Sequence, residues 1–488
     1  MRGFRLFVAL ILAAIAAPAA IAGQDQVQPD VTVSGVITGK DAMTYREIPF
    51  DVPAGVERIT VALSYDKTNK TVIDLGVWDS KQFRGWSGGT YDKVTIAGSD
   101  ATPGYLPGPI PTGRWHVQFG VPHARANSSA AYTVKVYFDR GTAARASAAI
   151  TNPPLVDKPG WYRGDLHMHD ANSDGSCKSQ LGRRVPCPLF RTVEAASAAG
   201  LDFIAVTDHN TVAHFDDLRE LQPWFDKMLL IPGVEVTTFR GHANIFGPSR
   251  FVDFRVGTPG VPTMAALEKS IADAGAIMSI NHPASPSGEI CMGCGWLWPD
   301  TDWSRVTAIE AVNGTRVEGP YAGLGFWYAR LNEGKRLTGI GGSDTHDPDG
   351  PSSRIGRPTT VVYADSLSVP GIAAGIKRGN VFIDTEGTRD RLLEVAVTSG
   401  GRRAVMGERL RPDTTLSMEL HLVAVRGAAV EIVANGKPLA GLGGAIDSDD
   451  ARMTVPVDRA QACGWISANV RGKSGLLLIG NPIYIDCR

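Results

Sequence analysis

Gly164-Asp165-Leu166-His167-Met168-His169 is followed by Asp174-Gly175, and clusters of the same kind recur five times further along the chain. They are Thr207-Asp208-His209-Asn210, Gly233-Val234-Glu235, Gly241-His242, Asn281-His282-Pro283 and Ser343-Asp344-Thr345-His346. Nearly every cluster comes just after a short apolar run. Imidazoles and carboxylates gathered in this way are what a site for several transition-metal ions requires. Seven of the ten histidines belong to the set or lie within five residues of it, a concentration that packing alone does not produce.

The runs between the clusters alternate in character. Leu189 to Ala199 has helical periodicity and is followed by the strand-like Phe203-Ile204-Ala205-Val206. Met264 to Gly275 precedes Ile277-Met278-Ser279-Ile280, and Tyr321 to Asn332 precedes Leu337-Thr338-Gly339-Ile340. This strand and helix rhythm over residues 160–388 predicts parallel strands, most simply a barrel. Clusters at the C-terminal strand ends are where such folds build active sites.

Both flanks read as β. In residues 27–140, Val31-Thr32-Val33-Ser34-Gly35-Val36-Ile37 and Tyr132-Thr133-Val134-Lys135-Val136-Tyr137 alternate with period two, which predicts an antiparallel sandwich. Residues 391–488 return to alternation, as in Leu416-Ser417-Met418-Glu419-Leu420-His421-Leu422-Val423, and predict a second β-domain. Residues 141–159, rich in Ala, Ser and Pro, read as a linker. His116, His123 and His421 lie in these flanks and are read as strand or surface histidines. His214 follows Asn210 in a helix-like run and is expected to be exposed.

Residues 1–22 read as an export signal: Met1-Arg2-Gly3-Phe4-Arg5 is basic, Leu6 to Ala17 is apolar, and Ala20-Ile21-Ala22 has the small-x-small pattern. The alternative is an uncleaved anchor. Cleavage places the protein in the periplasm or the medium, with no membrane span in the remainder. The six cysteines form three local pairs, Cys177 with Cys187, Cys291 with Cys294 and Cys463 with Cys487, as disulfides in an oxidising compartment do. Cys291-Met292-Gly293-Cys294 also has the spacing of a redox motif or half a zinc site. Lys plus Arg is 49 against 50 for Asp plus Glu, with no basic stripe, which argues against nucleic acid as the main partner. At about 150 residues per domain, the 488-residue length suggests about three domains. The oligomeric state leaves no mark in the sequence.

On an extended segment His167 and His169 share one face, so both can reach one ion. Asp174, His209, Glu235, His242, His282, Asp344 and His346 bring the candidate ligands to nine. One tetrahedral ion needs fewer; two or three ions sharing a bridging group fit the count.

These stretches resemble a known family. Asp165-Leu166-His167-x-His169, Ser173-Asp174-Gly175, Thr207-Asp208-His209-Asn210, Gly233-x-Glu235, Asn281-His282-Pro283 and Ser343-Asp344-x-His346 match in kind and order the motifs of the polymerase-and-histidinol-phosphatase (PHP) domain. The resemblance covers residues 160–388 and implies a distorted (β/α)7 barrel between two β-sandwich-like domains. It implies two or three divalent metal ions, zinc, manganese or iron. An exported chain with β-regions on both sides is most similar to the carbaryl-hydrolase branch. By the same resemblance His167, His169, Glu235 and Asp344 hold a first ion, with Glu235 bridging. His242 and His282 hold a second; Asp174, His209 and His346 form the third group. Asp208 orients a ligand or handles a proton. Asp170 stands where the pattern commonly has Ser, and is expected at the pocket mouth.

The implied activity is hydrolysis of a small-molecule ester, a phosphoester above all. Arg354 and Arg357, with Arg316 behind them, are candidates for gripping an anion. Trp296, Trp298 and Trp303 either line an aryl-binding wall, which would favour a carbamate or carboxylic ester, or pack a loop onto the barrel. The rival outside enzymes is a non-catalytic metal- or glycan-binding protein.

Overall fold

The structure is a computed structural model that describes residues 28–87, 91–98, 100–140, 153–248, 250–287, 291, 293–350, 354–413 and 415–487. The expected signal segment and most of the expected linker lie outside the described residues.

Period-two alternation builds the N-terminal region. Ser129–Asp139 buries Ala130, Tyr132, Val134 and Val136 on one face, and Thr44–Val52 buries Ile48, Phe50 and Val52. Two four-stranded antiparallel sheets result. One runs Val31–Thr38, Ser129–Asp139, Arg58–Tyr65, Lys93–Ala97, and the other Thr44–Val52, Gly113–His123, Val72–Trp78, Phe83–Trp86. Their apolar faces share a core around Trp115, Phe119, Leu75 and Ile59. His116 stacks on Trp78 and His123 is exposed, both in strands of the sandwich. The sandwich docks through buried charge. Asp100 accepts from Arg58 and from Arg219 of the helix Phe215–Leu221, at 2.7 and 3.2 Å.

In the central region a single sheet runs, in spatial order, Thr338–Gly342, Ala308–Asn313, Ile277–Ile280, Gly241–Phe246, Leu229–Thr238, Phe203–Val206, Gly160–Asp165, Thr359–Ala364, Val381–Asp384. Its strands are buried almost throughout, as continuous apolar runs covered on both faces must be. The helix Leu189–Ala199 buries Leu189, Thr192, Val193 and Ala196, one stripe at helical spacing, and stops at Gly200 with φ 74°. Met264–Asp273 is capped by Thr263, whose Oγ1 accepts from Ala266 N at 3.2 Å.

The expected (β/α)7 alternation is not what the chain forms here. Gly160–Asp165, Phe203–Val206 and Leu229–Thr238 are parallel, as are Ile277–Ile280, Ala308–Asn313 and Thr338–Gly342. Between those two sets, however, Gly241–Phe246 pairs antiparallel on both sides, and Thr359–Ala364 is antiparallel to Gly160–Asp165. The physical reason is connection length. Leu229–Thr238 and Gly241–Phe246 are separated only by Phe239 and Arg240, enough for a hairpin and far too little for a crossover helix. The first strand of this order, Thr338–Gly342, approaches the eighth, Thr359–Ala364, where Gly341 N donates to Thr360 Oγ1 and Thr360 Oγ1 donates back to Gly341 O, at 2.8 and 2.7 Å.

The C-terminal β-region is not a separate sandwich. Gly475–Gly480 pairs antiparallel with Val381–Asp384, so the central sheet continues through Gly464–Gly472, Ala429–Ala434 and Lys437–Ala445. A second sheet, Arg402–Val405, Leu392–Ser399, Leu416–Val423 and Asp450–Val457, packs on that extension around Leu393, Met418, Leu422 and Ile432. His421 is bound there by Glu394 and Asp450. Cysteine bridges join Cys177 to Cys187, Cys291 to Cys294 and Cys463 to Cys487. Among the described residues no helix is long and apolar enough to cross a membrane.

Candidate metal centre

The first cluster is held by a carboxylate that the strand end buries. Asp165 accepts from the backbone N–H groups of His167, Ser343 and Gly356, at 3.2, 3.0 and 2.8 Å. It thereby ties three loops to one point. Asp344 N donates to His167 O and His169 N to Thr345 O, at 2.8 and 2.9 Å, so the two ligand loops run side by side, paired in parallel at Met168 and Thr345. Met168 points into the core between the two imidazoles, which therefore share the opposite face. His282 and Asp344 have positive φ, 26° and 53°. Non-glycine residues rarely adopt that conformation, and here each turns a side chain back over a strand end. Gly342 is required by close approach: a Cβ there would come within 2.4 Å of His167 Cβ.

All nine candidate ligands meet in one constellation. His167 Nε2 lies 3.3 Å from both Glu235 Oε2 and Asp344 Oδ1. His169 Nε2 lies 3.4 and 3.3 Å from the same two oxygens. The other oxygen of Glu235 faces a second set, His242 Nδ1 and His282 Nε2, each at 3.3 Å. A third set opens to solvent: Asp174 Oδ1 is 3.3 Å from His346 Nε2 and 3.7 Å from His209 Nε2.

Two observations test whether these residues suit divalent ions. First, Nε2 of His167, of His169 and of His242 are buried and have no hydrogen-bond partner, although buried nitrogens are nearly always satisfied. Second, a tetrahedral ion with ligands at about 2.0–2.1 Å has ligand-to-ligand edges of about 3.3–3.4 Å. Of the six edges such a set has, the four from the nitrogens of His167 and His169 to the oxygens of Glu235 and Asp344 are 3.3, 3.3, 3.4 and 3.3 Å. The residues fit the group.

The groups of the centre act strongly on one another's charge. Burial opposes charge on His167, yet Asp344, Glu235 and Glu310 outweigh it and hold its pKa well above the usual imidazole value. His282 is raised against burial in the same way, chiefly by Glu235. Burial likewise opposes ionisation of Glu235 and Asp344, and the surrounding imidazoles, His167 above all, pull both well below the ordinary carboxylate range. On the rim, burial is again outweighed: Asp174 lifts His346 to about 9, while His346 brings Asp174 down to about 2.

A supporting layer orients the ligands. Glu310 is the main residue that the sequence reading missed. Its Oε1 is 2.9 Å from His167 Nδ1, and its Oε2 accepts from His282 N at 2.8 Å and Asn313 Nδ2 at 3.1 Å. This fixes the His167 tautomer with Nε2 facing inward. The available signal was one glutamate in the apolar run Ala308-Ile309-Glu310-Ala311-Val312. Asn281 Nδ2 donates to Glu235 Oε1 at 2.9 Å, and His209 Nδ1 is 2.6 Å from Thr237 Oγ1. Asp208 touches no candidate ligand of the inner sets. Its Oδ1 accepts from Ser173 Oγ and from Asp170 N, placing it behind His169 as a positioning group.

Three expectations need correction. His214 is fully buried, not exposed: its Nε2 lies 3.2 and 3.0 Å from the carbonyls of Val206 and Gly233, and its Nδ1 faces Asp208. Asp170 is buried beside Asp208 and is not at a pocket mouth; burial first, then Asp208, raises its pKa to about 6. Arg354 and Arg357 bond none of the nine candidate ligands among the described residues. Both are exposed and line a cavity of about 550 Å³ with Gly314, Glu318, Glu386 and Gly475. Arg316 reaches Ser285, on the loop after His282, at 2.7 Å. The tryptophans pack. Trp296 is buried and bonds Thr301, Trp298 bonds Thr238, and Trp303 lies under Arg330.

No family model matches the chain, and no curated protein matches it. Among solved structures it is similar to a two-domain protein from Bacteroides vulgatus containing a predicted PHP-like metal-dependent phosphoesterase. The identity is 19%, over 69% of this chain and 99% of that one, with a TM-score of 0.38. It is also similar to a candidate metal-dependent phosphoesterase from Bifidobacterium adolescentis, 15% identical over 39% of this chain and 90% of the other, with a TM-score of 0.30. Superpositions this loose leave the reading of the centre to its own geometry.

Proposed function

We propose that this protein is an exported metal-dependent hydrolase of the PHP type, nearest the carbaryl-hydrolase branch, with phosphoesters as its favoured substrates. The observation that carries the reading is the set of four donor atoms, from His167, His169, Glu235 and Asp344, spaced as the edges of a tetrahedron around a zinc-sized ion. Two or three divalent ions, zinc, manganese or iron, match the three sets of donors. Glu235 joins the first set to the second, formed by His242 and His282. Asp174, His209 and His346 form the third.

When bound, such ions polarise an ester oxygen and acidify water near neutral pH, to a pKa of about 7 in favourable sites. The chain does the rest. Glu310 and Asn281 keep the donors aimed inward. The inner donors exclude solvent, with His167, His169 and Glu235 at 0, 0 and 1% exposure, while Asp174 is 57% exposed and leaves one open side for substrate. With only the two inner sets filled, the Nε2 atoms of His209 and His346, on that side, are placed to hold or move a proton at the leaving oxygen; with a third ion they serve as its ligands instead.

An anionic substrate needs fixed positive charge. Glu318 is already bonded to Arg471 and Glu386 to Arg391, so the acids of the neighbouring cavity are neutralised and Arg354 and Arg357 give it net positive character. That favours a phosphoester. One observation favours an aryl carbamate or carboxylic ester instead. Phe239 and Leu297, which flank the His242 loop, are 97% and 59% exposed and offer an apolar lip.

The deciding experiment is elemental analysis of the purified protein together with a hydrolysis panel of phosphomonoesters, phosphodiesters, aryl carbamates and simple esters. Bound metal with phosphoester turnover supports the favoured reading, and carbamate or ester turnover alone moves it to the second. Absence of metal binding sinks it.

A further inference from the structure

The Cys291–Cys294 bridge lies against the centre just described. Donor atoms of His242, His282 and Cys294 all lie within 4.8 Å of one another. Cys294 is 2% exposed and His242 6%. Nε2 of His242 has no hydrogen-bond partner. His282 Nδ1 is 3.2 Å from the Cys294 carbonyl, so the same residue already steers a candidate ligand. The segment after the bridge clasps both ligand loops. Trp296 N donates to Pro283 O, beside His282, and Leu297 N to Arg240 O, two residues before His242, at 3.0 and 2.7 Å.

The two sulfurs are not equivalent. Cys291 is exposed, whereas Cys294 faces the histidines and is closed to solvent. We propose that this bridge is a redox gate on the His242 and His282 subsite: when it is reduced, Cys294 becomes a thiolate ligand to the ion there. The inference rests on the metal-centre reading above and goes beyond it, because it assigns a sulfur donor to a centre otherwise built from nitrogen and oxygen.

The chemistry balances with a dithiol reductant. One of its thiolates attacks the exposed Cys291 sulfur, the Cys291–Cys294 bond breaks, and Cys294 leaves as thiolate. The leaving sulfur is the one that a neighbouring cation stabilises, which sets the direction of attack. The second thiol of the reductant then resolves the mixed disulfide at Cys291. The net result is one oxidised dithiol, one Cys291 thiol, one Cys294 thiolate on the ion and one proton released. While the bridge is intact its sulfurs carry no charge and are poor ligands. Once freed, thiolate is the softest donor of the site and selects zinc over the oxygen-preferring ions.

Cys291→Ser tests this directly, since it frees Cys294 while leaving the other two bridges intact. Zinc-loaded Cys291→Ser should show sulfur scattering at about 2.3 Å in X-ray absorption, where the oxidised parent and the Cys291→Ser/Cys294→Ser double variant show only nitrogen and oxygen at about 2.0–2.2 Å. The cobalt-loaded variant should gain a near-ultraviolet thiolate charge-transfer band. Parent protein reduced anaerobically with dithiothreitol, desalted and then metal-loaded should do the same where a Cys294→Ser variant treated identically does not, and this pair carries the test if Cys291→Ser does not fold. Metal bound without sulfur, in protein whose Cys294 thiol titrates as free, overturns the gate and leaves the hydrolase reading standing. Oxidised parent that binds no divalent ion overturns both.

Discussion

Replacing Glu310 by Gln isolates the orientation of the ligands from the ligands themselves. Three donors converge on this carboxylate: the His167 ring nitrogen at 2.9 Å, His282 N at 2.8 Å and Asn313 Nδ2 at 3.1 Å. The first meets Oε1 and the others Oε2. An amide keeps one acceptor oxygen and turns the other position into a donor. Either His167 or the His282 and Asn313 pair then faces a donor with its own donor. The charge that helps hold the His167 pKa well above its ordinary value is lost as well. Loss of an outer partner of this kind costs roughly 10–100-fold in metal affinity, or about 1.4–2.7 kcal/mol. Competition against a chelator of known zinc affinity measures it, and turnover at saturating metal should recover part of the lost activity. Unchanged affinity in a folded Glu310→Gln protein would refute the claim that this residue sets the His167 tautomer.

Glu235→Gln should be more damaging than Asp208→Asn. Glu235 faces both inner donor sets, so both sets lose a charged donor, whereas Asp208 acts through Ser173 and should cost on the order of 10–100-fold; equal losses in parallel metal-binding titrations would contradict these positions. Arg58→Ala should destabilise the fold by about 1–3 kcal/mol in denaturant melts, because Asp100, 4% exposed, loses both bonds from Arg58 and keeps only the longer one from Arg219; a change below about 0.5 kcal/mol would mean that Arg219 or water fully replaces the guanidinium. Glu268→Gln should stabilise the protein at pH 8 and not at pH 4. Burial raises this carboxyl from 4.5 to about 7, so the unfolded chain ionises first and the folded state loses stability as pH rises through that window. The gain is on the order of 3 kcal/mol at most, and melting curves that shift equally at both pH values would show that the carboxyl is ordinary.

Much of the site was legible before any tertiary information. Nearly every cluster comes just after an apolar run, and strands of one sheet that point the same way deliver the residues at their C-terminal ends to one side. That argument is local, and it is enough to bring His167, His169, Glu235, His282 and Asp344 together. The alternation in Ser129–Asp139 and Leu416–Val423 likewise predicts which residues face inward, because successive side chains in a strand point to opposite faces.

What the sequence could not carry is what packs across from a residue. Glu310 sits in the middle of a buried strand, and only the neighbouring loops, arriving from Asn281-His282 and from His167, turn it into a ligand holder. His214 and Asp170 look like surface residues in their own segments and are buried because a helix and a loop fold back onto Asp208. Strand direction was hidden for a related reason: periodicity reports faces, not polarity, so the antiparallel hairpin at Phe239-Arg240 and the continuation of the sheet into the C-terminal region emerge only when strands choose partners. The sequence by itself determined the donor inventory and the elements that carry it. The tertiary structure decided spacing, burial and partnership, since these depend on residues far apart in the chain and on a register that no local pattern encodes.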